Sequence, residues 1–144
     1  MTIHKDQTSK TELAVSLVEL YVAIQQIYAR SSRQVGITPQ QAHLLCIADH
    51  QTPTLGELAT ELGCDKTNIT GLVDRVANRG LVERIGDDND RRVKRVQVTQ
   101  LGHNLVDRFD RELADRLDNI DPAIGITPAM IDALTAHLRP YRDS

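Results

Sequence analysis

The chain has 144 residues, 40% of them hydrophobic and 26% charged, proportions of a soluble globular protein with one domain, or two lobes sharing long helices, rather than of a disordered or fibrous one. Aromatic content of 3% without tryptophan argues against base stacking on aromatic platforms, as single-strand and many RNA binders use, and leaves duplex DNA open. The net charge of −3 is uneven: eight of the 17 basic and five of the 20 acidic residues lie between Lys66 and Arg95, leaving nine basic and fifteen acidic residues elsewhere, so positive charge gathers in one segment.

In chain order, Leu13, Leu17, Leu20, Ile24 and Ile27 alternate spacings of four and three, which predicts a helix of roughly 20 residues with one apolar stripe, fading into Ser31, Ser32 and Gly36. Thr38, Pro39 and Gln41 form a capping box that opens a second helix, running to about His50 before Pro53. Thr54 and Glu57 form another, for a short helix with apolar Leu55, Leu58, Ala59 and Leu62 and a left-handed stop at Gly63. Cys64 and Asp65 complete the turn, and from Lys66 the positions Ile69, Leu72, Val73, Val76 and Ala77 make a full helical stripe ended by Gly80.

Leu81 to Ile85 and Val93 to Val98 are β-branched-rich runs flanking the polar segment Gly86 to Arg92, which predicts a hairpin with a long exposed tip and room for a bulge. Thr99 caps a long helix with apolar Leu101, Leu105, Phe109, Leu113 and Leu117 at every fourth residue, about 30 Å long. After Asp121 and Pro122, Thr127 and Pro128 start a last helix carrying Ile131, Leu134 and Leu138 and stopped by Pro140. The predicted fold is mainly α with a small β-hairpin wing.

Helix, short glycine-containing turn, helix and hairpin make a winged helix-turn-helix, whose second helix enters the major groove. Opposite its apolar stripe this helix carries Thr67, Gly71 and Asn78, flanked by Thr70 and Asp74 on one side and Asn68 and Arg75 on the other. Asn68 is suited to adenine and Arg75 to guanine. Gly71 costs about 1 kcal/mol against alanine in a helix, which close approach to a base would explain; a tolerated neutral residue is the alternative. Arg75 and Arg79, like charges one turn apart, gain from a nearby phosphate. In the tip, Asp87, Asp88, Asn89 and Asp90 precede Arg91 and Arg92; either Asp90 or a neighbour orients an arginine toward the minor groove, or the charges pair with one another in solvent.

These residues resemble the MarR family of bacterial regulators. The likeness runs through Thr54-Leu55-Gly56-Glu57-Leu58-Ala59, Asn68-Ile69-Thr70, Val73-Asp74-Arg75, Gly80-Leu81-Val82-Glu83-Arg84, Asp90-Arg91-Arg92 and Val98-Thr99-Gln100-Leu101-Gly102. The resemblance implies a homodimer with interlocked terminal helices (1–37 and 99–144) and DNA-binding lobes (38–98) on a pseudo-palindromic operator, commonly with repression relieved by a small ligand or oxidant. It places Thr67, Asn68, Thr70 and Arg75 at recognition-helix positions and Arg92 at the wing tip. Lys66, Gly71 and Arg91 complete the expected DNA-binding set.

The family often holds an anionic or phenolic effector between the dimerisation helices and the lobe, which points to Tyr21, Tyr28, Arg30 and His43, although the tyrosines also suit packing beside the apolar stripe. Its oxidant sensors carry a reactive cysteine near the N-terminus, whereas the first cysteine here is Cys46, amid Leu44, Leu45, Ile47 and Ala48. An inert buried thiol is expected there, with Cys64 the alternative redox site beside a helix N-terminus. A metal-responsive alternative draws on the pairs His43 and His50, and His103 and Asp107; no metal or other cofactor is expected. Enzyme motifs such as a phosphate-binding glycine loop or nucleophile elbow are absent from the sequence. A winged helix used as a protein-interaction module is the other rival. No apolar run approaches about 18 residues, and Met1 to Lys10 is polar, so a cytoplasmic protein without signal peptide or membrane span is expected.

Overall fold

The computed structural model describes residues 3–120 and 122–138. Its elements are α1 (Ile3–Gln34), α2 (Pro39–Gln51), α3 (Leu55–Leu62), α4 (Lys66–Asn78), β1 (Val82–Gly86), β2 (Lys94–Val98), α5 (Gln100–Leu117) and α6 (Pro128–Leu138), with a 3-10 turn at Pro122–Ile124. The chain divides into two compact units between Ala114 and Asp115.

Helix α1 spans 32 residues, longer than the apolar stripe predicts. Neither glycine nor proline occurs before Gly36, so nothing stops the helix in its polar first third. It also does not fade at the serines: Ser31 and Ser32 are fully buried, and the Ser32 hydroxyl donates to the Tyr28 carbonyl at 2.7 Å. The turn comes at Gly36, whose φ of 77° suits glycine.

Both capping boxes form, Thr38 with Gln41 and Thr54 with Glu57. These reciprocal bonds need only side chains three residues apart, so they are decided locally. Beyond α4, Gly80 takes φ 73° and the Leu81 amide returns to the Val76 carbonyl at 3.2 Å, closing the helix end. Strands β1 and β2 pair antiparallel from Val82 with Val98 to Gly86 with Lys94. The register is continuous, so the bulge for which the sequence left room is not there. Thr54 forms an isolated bridge with Arg95, and the Val96 amide donates to the Pro53 carbonyl at 2.8 Å. Together these dock the α2–α3 junction on the edge of β2.

The core gathers Leu44, Leu45, Leu58, Ile69, Val73, Val76, Val96 and Phe109, none more than 2% exposed. On α5 the buried positions are Gly102, Leu105, Val106 and Phe109, while Leu101 is 57% and Leu117 42% exposed. The expected every-fourth-residue stripe packs at Leu105, Phe109 and Leu113 but fails at its two ends for a geometric reason. Four residues overshoot one turn of 3.6, so such a stripe drifts steadily around the helix. Gly102 permits the close contact: a Cβ there would lie 2.1 Å from the Leu81 carbonyl oxygen.

In the second unit α6 starts at Pro128 as expected, with the Thr127 hydroxyl accepting from the Met130 amide at 3.3 Å. The stop assigned to Pro140 lies outside the described residues.

Candidate nucleic-acid interface

Helix α4 begins at Lys66 because Asp65 caps it, its carboxylate accepting from the Asn68 amide at 2.8 Å. Its stripe Ile69, Leu72, Val73 and Val76 is buried, which turns Lys66, Thr67, Asn68, Asp74, Arg75 and Asn78 outward and leaves Thr70 and Gly71 half-exposed. The predicted recognition residues therefore share one surface. A Cβ on Gly71 would meet nothing closer than Arg75 Nη1 at 3.7 Å, so packing within the chain does not require glycine there.

Several polar side chains on this surface already have partners. The Asn68 side-chain amide donates to the second Asp65 carboxylate oxygen at 2.7 Å, so an adenine contact would have to exchange that bond. The Thr70 hydroxyl donates back to the Lys66 carbonyl at 2.8 Å. Arg84 of β1 pairs with Asp74 at 2.5 Å. Arg79, expected beside a phosphate, donates from Nη1 to the Gly36 carbonyl at 2.9 Å while its side chain stays exposed. That bond, spanning 43 residues, has no local sequence signal.

The wing tip is organised by its acids. Asp87 accepts from the Asn89 amide at 3.4 Å and Asp90 from the Arg92 amide at 2.9 Å. Asp90 thus holds the backbone of Arg92 rather than its guanidinium, refining the expected arginine-orienting role. Arg91 and Arg92 are exposed. The Asp87 carboxyl is held below its ordinary pKa, first by the Asn89 amide and then by Arg95.

Of the four expected effector residues, the structure brings two together. Tyr28 and His43 line a cavity of about 390 Å³ with Ile24, Gln25, Ala29, Pro39 and Gln40. Tyr21 is 59% exposed and accepts a hydrogen bond from Gln25. Neither Tyr21 nor Arg30 lines the cavity. The sequence reading missed Gln25 and Gln40, which join only because successive turns of α1 face the first turn of α2. Tyr28 also packs edge-on against Phe109, with ring centroids 4.8 Å apart at 70°, so lining and packing are compatible roles.

Burial pushes the Cys46 thiol up to about 11 and raises the nearby Tyr28 hydroxyl as well, in keeping with an inert Cys46. Cys64 is half-buried, its thiol near the Leu62 carbonyl at 3.6 Å. Among the described residues no group of three or more His, Cys, Asp or Glu side chains could hold a metal ion; His103 pairs with Asp49 instead. No described helix is long and apolar enough to cross a membrane.

The sequence profile of the MarR family matches residues 37–94, from the last core residue before α2 to the first residue of β2. The chain is 25% identical over 120 residues to the HTH-type transcriptional regulator FarR of Neisseria gonorrhoeae, covering 83% of this chain and 82% of FarR. It is 42% identical over 50 residues to the transcriptional repressor MprA of Escherichia coli, covering 35% of this chain and 28% of MprA. Its fold is similar to that of CouR from Rhodococcus jostii RHA1 in a crystal structure bound to p-coumaroyl-CoA, with a TM-score of 0.76 and 23% identity over 90% of this chain and 91% of that one.

Proposed function

The chain belongs to the MarR family of transcriptional regulators, and we propose that it acts as a homodimer that binds a pseudo-palindromic duplex and represses transcription until a small effector binds. The observation that carries this reading is the outward face of α4, with Lys66, Thr67, Asn68, Thr70, Gly71 and Arg75, in the same unit as a wing that exposes Arg91 and Arg92. Phosphate contacts from Lys66 and the wing arginines supply charge-driven affinity. Base selection falls to Asn68 and Arg75 in the major groove and to Arg92 in the minor groove. Residues 38–98 serve as the DNA-binding lobe, and the cytoplasm, where the DNA is, follows as the place of action.

The segments 1–37 and 99–144 serve as dimerisation helices. Supporting this, Leu13, Val18 and Leu20 on α1 are 61%, 62% and 49% exposed, and Met130, Ile131 and Leu138 on α6 are 58%, 49% and 50% exposed. Apolar faces of this kind are usual where a second copy covers them. The effector reading draws on the cavity beside Tyr28 and His43 and on the aromatic acyl ligand of CouR; a phenolic or other small anionic compound would suit it.

Selection of bound duplexes from a random library tests the reading. Paired half-sites about one helical turn apart are expected, with affinity falling steeply as salt rises. Failure to enrich any duplex, or binding indifferent to salt, would leave a protein-interaction module as the better account.

A further inference from the structure

We infer that Arg95 is a positioning residue that locks the wing to the helix-turn-helix and thereby aims Arg92, without itself contacting DNA; this rests on the proposed DNA-binding reading. Arg95 lies on β2, a few residues after the exposed arginines of the tip. Its guanidinium faces two parts of the lobe at once. Toward the helices, Nη1 donates to the Thr52 carbonyl at 3.2 Å and lies 3.5 Å from Glu57 Oε2. That same Glu57 oxygen accepts from the Thr54 amide at 2.7 Å, so the clamp is joined to the capping box of α3. Toward the wing, Nη2 lies 3.5 Å from Asp87 Oδ2.

Both ends of this bridge are built. Thr52 caps α2 with φ 47°, a left-handed conformation unusual for a β-branched residue, and its carbonyl meets Arg95. Asp87 starts the wing loop: its amide donates to the Val93 carbonyl at 3.0 Å, and its carboxylate, only 18% exposed, also accepts from the Asn89 amide. The planar fork of arginine suits two acceptors on different elements, which a lysine point charge cannot serve equally. With three polar partners inside the lobe, Arg95 is already engaged, whereas Arg91 and Arg92 stand exposed at the tip. The Arg84–Asp74 pair and the buried Val96 also hold the base of the hairpin, whereas Arg95 reaches the start of the tip loop at Asp87, and an arginine aimed at a groove loses affinity when its orientation is not prepaid.

A double-mutant cycle on the full-length protein tests this, using as probe a fluorescein-labelled duplex recovered from a random library, with anisotropy as readout. Arg92→Ala should weaken binding about tenfold, and Arg95→Met about threefold to tenfold while Arg92 is present. In the Arg92→Ala background, Arg95→Met should cost less than about twofold, since no tip arginine is left to aim. Asp87→Asn supplies an opposite-sign check that leaves Arg95 itself unsubstituted: a broken clamp weakens binding about threefold, whereas an Arg95 freed to reach phosphate would tighten it. Equal losses from Arg95→Met in both backgrounds, no loss in either, or tighter binding by Asp87→Asn would overturn the inference while leaving DNA binding intact. If the native protein enriches no duplex, the DNA-binding reading fails and the inference with it.

Discussion

On α4 the stripe Ile69, Leu72, Val73 and Val76 is at most 3% exposed, whereas on α1 a stripe of the same helical kind leaves Leu13 61%, Leu20 49% and Ile24 50% exposed. Both sequences read as helices with one apolar face, α1 on a four-three spacing and α4 on the pattern Ile69, Leu72, Val73, Val76 and Ala77. The difference lies in what faces them: α4 packs against α2, α3 and β1 of its own chain, while much of α1 faces none of them. Periodicity specifies a helix and an apolar face; it does not say whether the cover comes from the same chain or from another.

The contrast can be broken most directly by truncating one side of it. Leu58, fully buried in the lobe, should lose about 2–5 kcal/mol on Leu58→Ala, read as a lower urea midpoint. Leu13→Glu with Leu20→Glu should instead leave the lobe folded and shift sedimentation from dimer to monomer, since these side chains face no core of their own chain. Loss of lobe structure in that pair, or an unchanged dimer, would erase the distinction.

Gly102→Ala ranks next. Its Cβ would lie 2.1 Å from the Leu81 carbonyl and 2.5 Å from Val98 Cγ1, so α5 must shift from the wing base. A loss of about 1–3 kcal/mol is expected, and an unchanged denaturation curve would mean that the close approach is not maintained in solution.

Gly71→Ala should act in the other direction on stability. The site has room for a methyl group, so the lobe gains up to about 1 kcal/mol from helix propensity, while duplex binding weakens if the backbone approaches a base edge. A variant that is both more stable and equally tight would return Gly71 to the role of a neutral surface residue.

The smallest effect concerns the Cys46 thiol. Cys46 is held up at about 11 by burial, and the thiolate is the reactive form, so at pH 8 its alkylation by iodoacetamide should be slow and should rise about tenfold per pH unit. Mapping the labelled peptides by mass spectrometry checks this, and rapid labelling at pH 8 would reopen a redox role for the α2 cysteine.

Much of the lobe was legible in advance because its signals are short-range. Thr38 with Gln41, Thr54 with Glu57, and Gly63 and Gly80 after their helices all act within a few residues, where spacing alone fixes who can meet whom. The α4 surface followed from its stripe for the same reason. What escaped was long-range. Arg79 and Arg95 each reach a carbonyl 43 residues away, contacts that no spacing within a helix or strand announces. Of the residues expected to hold an effector, Tyr28 and His43 line one cavity across α1 and α2, while Tyr21 and Arg30 do not line it.

By itself, then, the sequence determined the capped starts of α2 and α3, the glycine stops after α3 and α4 and which side of α4 faces outward, because hydrogen-bonded turns and a 3.6-residue period are local properties. Only the tertiary structure decided that Gly102 admits the Leu81 carbonyl, that the α5 stripe shifts to Gly102, Leu105, Val106 and Phe109, and that Arg95 joins the wing to the capping box of α3. Those outcomes depend on chain segments that approach only after folding, and no spacing within either segment encodes their meeting.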